Sequence, residues 1–413
     1  MKKTILSLVA ISAISTTGVL ADSTTDISEL KVMMQQMNKR LAKLEAENKQ
    51  LKAQVKKKRT VHTSSKKHIR HYASSEQQEK IATLEEKVEK LEKHTVVKSK
   101  APVLKFSGTH YLGFVSDKVG ATDGKRINKF ETRRNYLQVK GYFADNPKDY
   151  MRVTLDTHQD GTGDWTLRLK YAYLYLDNIL PFTGVEVGQA HRPWIDYEEH
   201  HGWFYRSISK TFIEGTPDLI NSSDLGFNFK TKTDYFSSEL GVFNGSGYHG
   251  IKDGNGLSGE WRLTGHLLGT GKKHVHKHDT YADISFFGQY GTNGIKNSDA
   301  NGDYLWYGLH AVYNQEAFLL AAQYLKADKA KDGKKGDGWS VNGEFRPTED
   351  ISIFAKYDDY KLDNYVVKEK KRTIVGVGYK YNKNVEFIAN YDKKKEDDTT
   401  TRDAIMLSAE VNW

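Results

Sequence analysis

From residue 103 onward, apolar and polar positions alternate with a period of two. The final stretch, RDAIMLSAEVNW, shows the pattern: Ile405, Leu407, Ala409 and Val411 are separated by Ser408, Glu410 and Asn412, and the sequence stops on Trp413. A period of two is that of a β-strand with one apolar face. Sixteen such segments can be read, at about 103–115, 130–143, 149–157, 166–176, 183–190, 224–230, 234–244, 260–269, 279–290, 304–314, 317–326, 338–346, 349–358, 372–382, 384–391 and 402–413. Clusters of Gly, Asp, Asn and Lys bound them. The connections alternate between long and short. ADNPK, DNILPF, TKT, GTGKKHVHKH, QE and PT are short, whereas SDKVGATDGKRINK, NGSGYHGIKDGNGLSG, GTNGIKNSDANG and KADKAKDGKKGDG are long. This parity predicts an all-β transmembrane barrel of sixteen antiparallel strands over 103–413, with tight turns at one end and loops at the other. Hydrocarbon leaves no open sheet edge satisfied, so the last strand must pair with the first. Trp413 is then expected at the interfacial girdle.

The first hundred residues follow other periods. Lys2 and Lys3 precede an apolar run from Ile5 to Ile14, and Val19-Leu20-Ala21 fits a cleavage site, so residues 1–21 read as a signal peptide. Ile27, Leu30, Met34, Met37, Leu41, Leu44, Asn48, Leu51 and Val55 form a heptad seam. A coiled-coil helix is expected over 22–58, with Asn48 fixing its register. A basic run at 52–71 leads into a linker assigned to 59–75, and Ile81, Leu84, Val88 and Leu91 mark a second, short coiled-coil helix over 76–97. Such a seam needs a partner helix, so a homo-oligomer is expected. An even strand number puts both barrel ends on the turn side, and hence the coiled coil in the periplasm.

Charge and composition narrow the function. The formal net charge of +9 resembles a nucleic-acid signal, but residues 1–102 hold 21 Lys and Arg against 11 Asp and Glu, and the rest hold 41 against 42. The excess lies wholly outside the barrel, and no nucleic-acid partner is expected. There is no cysteine, which excludes disulfides, thiol catalysis and cysteine metal sites.

Alternation also sorts side chains into outer and inner faces. With Leu137, Val139 and Phe143 outward, Arg134 and Lys140 point into the lumen; with Met151, Val153 and Leu155 outward, so do Arg152 and Asp156. Leu167, Leu169, Tyr171 and Tyr173 outward put Arg168 and Lys170 inside. Trp261, Leu263 and Leu267 do the same for Arg262 and His266, and Ile351, Ile353 and Tyr357 for Lys356. Glu186, Glu344, Glu386 and Glu410 also point inward. A basic wall raises the local concentration of anions.

One loop departs from the rest. HRPWIDYEEHHGWFYRSISKTFIEGTPDLINSS, about residues 191–223, is rich in aromatic and charged residues. Left on the surface it would expose Trp194, Trp203, Phe204 and Phe212, so it is expected to fold inward and narrow the pore. Here VEVGQAHRP, the pair Glu198-Glu199, Tyr205-Arg206-Ser207 and Asp224-Leu225-Gly226 resemble the third-loop region of the phosphate-selective porin family. The resemblance implies a sixteen-stranded trimeric barrel in the Gram-negative outer membrane with a periplasmic helical segment. It also implies basic selectivity residues, for which Arg192, Arg206 and Lys210 are the candidates in this loop, with Glu198 and Glu199 as neighbouring acids.

Other chemistry is weaker. Asp196, Glu198, Glu199, His200 and His201 are metal-ligating types, but on an extended stretch adjacent residues point opposite ways, and no metal or cofactor is expected. His274, His276 and His278 fall on a turn. No nucleophile–base order suggests an enzyme. The expected function is passive diffusion of small hydrophilic solutes and ions, with an anion preference. The alternatives are a general or cation-preferring porin, a barrel that tethers outer-membrane lipid to peptidoglycan through its coiled coil, and a barrel hydrolase.

Overall fold

The computed structural model describes residues 103–119, 125–250, 252 and 254–413. The expected signal peptide, coiled-coil helices and basic linker lie outside the described residues. Sixteen strands follow in order: β1 (Val103–Asp117), β2 (Ile127–Tyr142), β3 (Tyr150–Gln159), β4 (Trp165–Leu180), β5 (Thr183–His191), β6 (Ser223–Lys232), β7 (Phe236–Phe243), β8 (Ser258–Leu268), β9 (Tyr281–Gly291), β10 (Tyr304–Gln315), β11 (Phe318–Lys329), β12 (Gly336–Phe345), β13 (Ile351–Leu362), β14 (Glu369–Lys380), β15 (Val385–Glu396) and β16 (Thr399–Asn412). Each pairs with its sequence neighbours, and β1 pairs antiparallel with β16 from Thr109↔Asn412 to Asp117↔Ala404. The sheet is a closed sixteen-stranded antiparallel barrel, as the alternation predicts.

The pleat sends successive side chains to opposite faces. In β16, Ile405 and Leu407 are 52% and 53% exposed on the outside, while Ala404 and Met406 are 0% and 1% exposed inside. A continuous outer apolar surface of this kind is what lipid tails accept and water does not. Exposed aromatic side chains rim it: Phe182, Tyr235, Phe345, Tyr381 and Trp413 towards the turns, and Phe130, Trp165, Tyr290 and Trp339 towards the loops.

The connections do not keep the expected parity. The β3–β4 loop spans only 160–164 and the β15–β16 loop only 397–398, whereas the turn-side connection T4, residues 269–280, has twelve residues. β15 and β16 meet at the loop end in a charged hairpin, Lys393 to Glu396 on one strand and Arg402 and Asp403 on the other.

Six strand pairs carry a register shift, and two of these shifts, both β-bulges, re-sort basic residues of the lumen. Tyr111 faces Arg134, but Leu112 faces Thr132, which leaves Arg133 as the extra residue of β2. Thr154 faces Tyr171, but Leu155 faces Leu169, which leaves Lys170 as the extra residue of β4. Lys170 and Tyr171 are consecutive, yet each is only 6% exposed. The expectation that Tyr171 and Tyr173 face lipid is therefore overturned. An extra residue reverses the face of everything after it, and both rings lie inside against His191.

Candidate functional site: the loop-lined lumen

Loop L3, residues 192–222, joins β5 to β6. It contains two short helices, α1 (Ile195–His201) and α2 (Phe212–Gly215). The stretch read as extended is thus helical, and its acids fan round the axis at roughly 100° per residue instead of opposing one another.

L3 hydrogen-bonds to strands all round the barrel. Tyr197 Oη donates to Asp283 of β9 (2.6 Å), Gln323 of β11 to Glu198 (2.7 Å) and Asn342 of β12 to the Gly202 carbonyl (2.7 Å). Thr216 donates to Asp358 of β13 (2.9 Å), Arg372 of β14 to Ser209 (2.7 Å) and Arg133 of β2 to the Ser207 carbonyl (2.9 Å). A segment touching these six strands of a closed cylinder lies inside it.

Packing explains which side L3 takes. Trp194 stacks on Phe287 with ring centroids 3.6 Å apart. Ile195, Phe212 and Ile213 join it in a buried cluster with Trp306, Leu325 and Tyr360. Trp203, Tyr205 and Ile208 form a second cluster with Phe354, Ile374, Ile388 and Met406. The inner faces of these strands are apolar where the loop lies on them, and burying one such side chain is worth about 1.5–3 kcal/mol. L3 thereby covers the β9–β16 side of the lumen.

On the other side, between L3 and strands β2–β8, there is a cavity of about 350 Å³. Lys140, Arg152, Lys230 and Arg262 line it from the wall, and Asp196, His200 and His201 from α1. An ion-pair chain crosses from wall to loop. Arg262 is 3.2 Å from Glu239, Lys230 is 3.5 Å from Glu239 and 3.0 Å from Glu186, and His191 is 3.2 Å from Glu186 and 3.6 Å from Asp196. Lys140 and Arg152 have no carboxylate at ion-pair distance among the described residues. Arg152 Nη1 contacts His191 Nε2 (3.1 Å) and lies 4.6 Å from the Tyr171 ring centroid, and Lys140 lies 4.8 Å from that of Tyr150.

The other candidates are distributed differently. Arg134 pairs with Asp156 at 2.9 Å, and Lys170 donates to Tyr136 Oη at 2.8 Å. Arg168 lies against His249. Lys356 is buried behind L3, 3.4 Å from Asp358 and 5.0 Å from the Trp203 ring centroid. Arg192 is locked to Glu260 (Nε to Oε2, 2.8 Å) and Gln289 (2.7 Å). Arg206 is held between Glu199 (3.1 Å) and Glu214, and Lys210 lies 3.2 Å from Glu214. Burial alone would raise the Glu214 carboxyl, but Arg206 and Lys210 hold it well below its ordinary range. Glu198 turns away from the cavity, accepting from Trp194 Nε1 (2.8 Å) and from Gln323, and burial pushes it up to about 7.

Strict alternation missed Arg133, which only a bulge turns inward. It also passed over Lys230 and Arg372, the latter paired with Asp392 at 2.8 Å. The adjacent Arg133-Arg134 pair was a legible hint, since two neighbouring strand residues share a face only at such an irregularity. The resulting geometry sets the wall cations Lys140, Arg152, Lys230 and Arg262, interleaved with Glu186 and Glu239, against Asp196 and two histidines of the loop.

No protein-family model matches the sequence, and no curated protein matches it. Solved structures do match in fold. Pseudomonas putida OprB, in a high-pH structure, is 11% identical with a TM-score of 0.59, over 75% of this chain and 94% of its own. Salmonella typhi OmpF, in complex with daunomycin, is 14% identical with a TM-score of 0.54, over 75% and 97%. In-vitro folded Vibrio cholerae OmpT, in a trimer form, is 12% identical with a TM-score of 0.52, over 75% and 99%. At such identities the likeness is one of fold: this chain carries the barrel architecture of those outer-membrane proteins over nearly their whole length.

Proposed function

We propose that the protein is an outer-membrane porin, a water-filled channel for passive diffusion of small hydrophilic solutes and ions, with L3 as its constriction. The observation that supports this most is the cavity left between L3 and a charged wall inside a closed, externally apolar barrel. Solutes pass along that wall, where Lys140 and Arg152 lack carboxylate partners and favour anions. Arg192 and Arg206 are neutralised by Glu260, Glu199 and Glu214, which favours a modest anion preference over strict phosphate selectivity. The trimer form of the Vibrio cholerae neighbour and the heptad seam support a homotrimer. Val103 and Trp413 share the turn side of the barrel, which supports a periplasmic position for residues 22–97, within reach of peptidoglycan.

Planar-bilayer recording of purified, folded protein tests the reading. Discrete open steps are expected, with a reversal potential in a salt gradient on the anion-selective side. Silence would refute the channel, and a cation-selective potential would refute the preference alone.

A further inference from the structure

T4 is long for a turn-side connection, and its course is unusual. It leaves β8 beside the β6–β7 turn, where Thr270 donates to Asp234 at 3.0 Å. It then runs inward beneath L3. Val275 packs with Phe204 of L3 against Tyr281, Val312 and Leu319. The His274 and His200 rings meet edge-on with centroids 5.6 Å apart. Lys277 forms the far anchor. Its Nζ donates to Tyr205 Oη and Ser352 Oγ (both 3.2 Å) and lies 2.9 Å from Glu344 and 3.6 Å from Glu386. Its carbonyl accepts from Asn314 Nδ2 at 3.0 Å.

Glu386 is on β15, seven strands from β8 in a ring of sixteen. Thr270 lies at the β6–β7 turn and Lys277 Nζ reaches β12, β13 and β15, so T4 and the Lys277 side chain together span the turn-side mouth. The cavity against the β2–β8 wall is lined on its turn side by Thr270, Gly271, Lys273, His274 and Val275, which narrow it there. Lys273 therefore shares the lining with Lys140, Lys230 and Lys232.

We infer that T4 is a second constriction, in series with L3 on the turn side, with Lys277 as the positioning residue that pins it across the lumen and Lys273 and His274 as pore-lining groups. This rests on the porin reading. A polar stretch of chain held across the mouth by one half-buried lysine narrows the exit and adds fixed positive charge where solutes leave. Its sign matches that of Lys140 and Arg152 above it, so the two elements reinforce one preference.

The test uses the full-length protein in planar bilayers. The sequence contains no cysteine, so His274→Cys supplies a unique thiol. Labelling it with a bulky cationic thiol reagent is expected to cut the unitary conductance at least twofold, and Lys277→Met is expected to raise it by a similar factor. Lys273→Glu should move the reversal potential towards cations. Gel mobility before and after boiling confirms that each variant is folded. Folded variants with wild-type conductance, unchanged by labelling, would overturn the second constriction while leaving the channel intact. A silent wild type would overturn the porin reading itself, and with it this inference. The distinction from a purely structural role lies in the labelling step, which alters the current without altering the fold.

Discussion

Trp413 and Gly108 exchange both backbone hydrogen bonds across the seam that closes the barrel. Gly108 N donates to the Trp413 carbonyl at 2.9 Å, and Trp413 N to the Gly108 carbonyl at 3.1 Å. The indole lies over the glycine and donates from Nε1 to His110 Nε2 at 2.9 Å. A Cβ on Gly108 would come within 2.5 Å of the ring. Closure of β1 on β16 thus depends on a missing side chain in one strand and a large one after the other.

Gly108→Val should displace the indole and cost about 1–3 kcal/mol, as overpacking does. Trp413→Ala should cost about 1 kcal/mol through the lost hydrogen bond. Both should lower the temperature at which the folded band shifts on a gel. An unshifted transition in both variants would remove the seam from the stability account.

Arg206→Ala should loosen L3. It withdraws the cation between Glu199 and Glu214, and breaking a buried pair costs about 3–5 kcal/mol. Open-channel current noise should rise and protease should cut the loop sooner. Adding Glu214→Gln should recover part of the loss. If the single variant records as quietly as wild type, the loop does not depend on this pair.

Lys140→Gln and Arg152→Gln remove cations that have no carboxylate at ion-pair distance among the described residues. One charge about 8 Å from a passing ion is worth about 0.5 kcal/mol in water. Each change should therefore lower anion permeability roughly twofold and raise cation permeability roughly twofold, so their ratio falls about fivefold, with conductance retained. Reversal potentials measure this, and a pair indistinguishable from wild type would place the ion path elsewhere.

Glu198 gives a pH signature. Its carboxyl is raised from an ordinary 4.5 to about 7 by burial. Between these values the folded protein keeps a proton that the unfolded chain has released, so this group's contribution to stability falls as pH rises from 4.5 to 7 and levels off above. Glu214 acts oppositely and lower: its depressed carboxyl stabilises above its ordinary range and loses that contribution as pH falls below it. Glu198→Gln keeps an acceptor for Trp194, and melting curves of that variant should lack the decline between pH 4.5 and 7. An identical pH profile in both proteins would show that another group carries it.

The sequence by itself determined the strand number, the closure and, away from the bulges, the outer face. These depend on a period of two, on turn residues and on the physics of lipid, all of which act locally or on every strand alike. Ile405 and Leu407 could be sent outward from RDAIMLSAEVNW alone. It could also mark L3 as unlike its neighbours, because Trp194, Trp203 and Phe212 have no place in water. Only the tertiary structure decided the lumen. Lys170 and Tyr171 share a face because β3 and β4 are out of step by one residue. Arg206 is neutralised because α2 delivers Glu214 beside it, and Lys277 crosses to Glu344 and Glu386 because a closed ring brings β8 opposite β15. Contacts between residues 67 to 109 positions apart carry no local period, so nothing in the spacing of the chain could announce them.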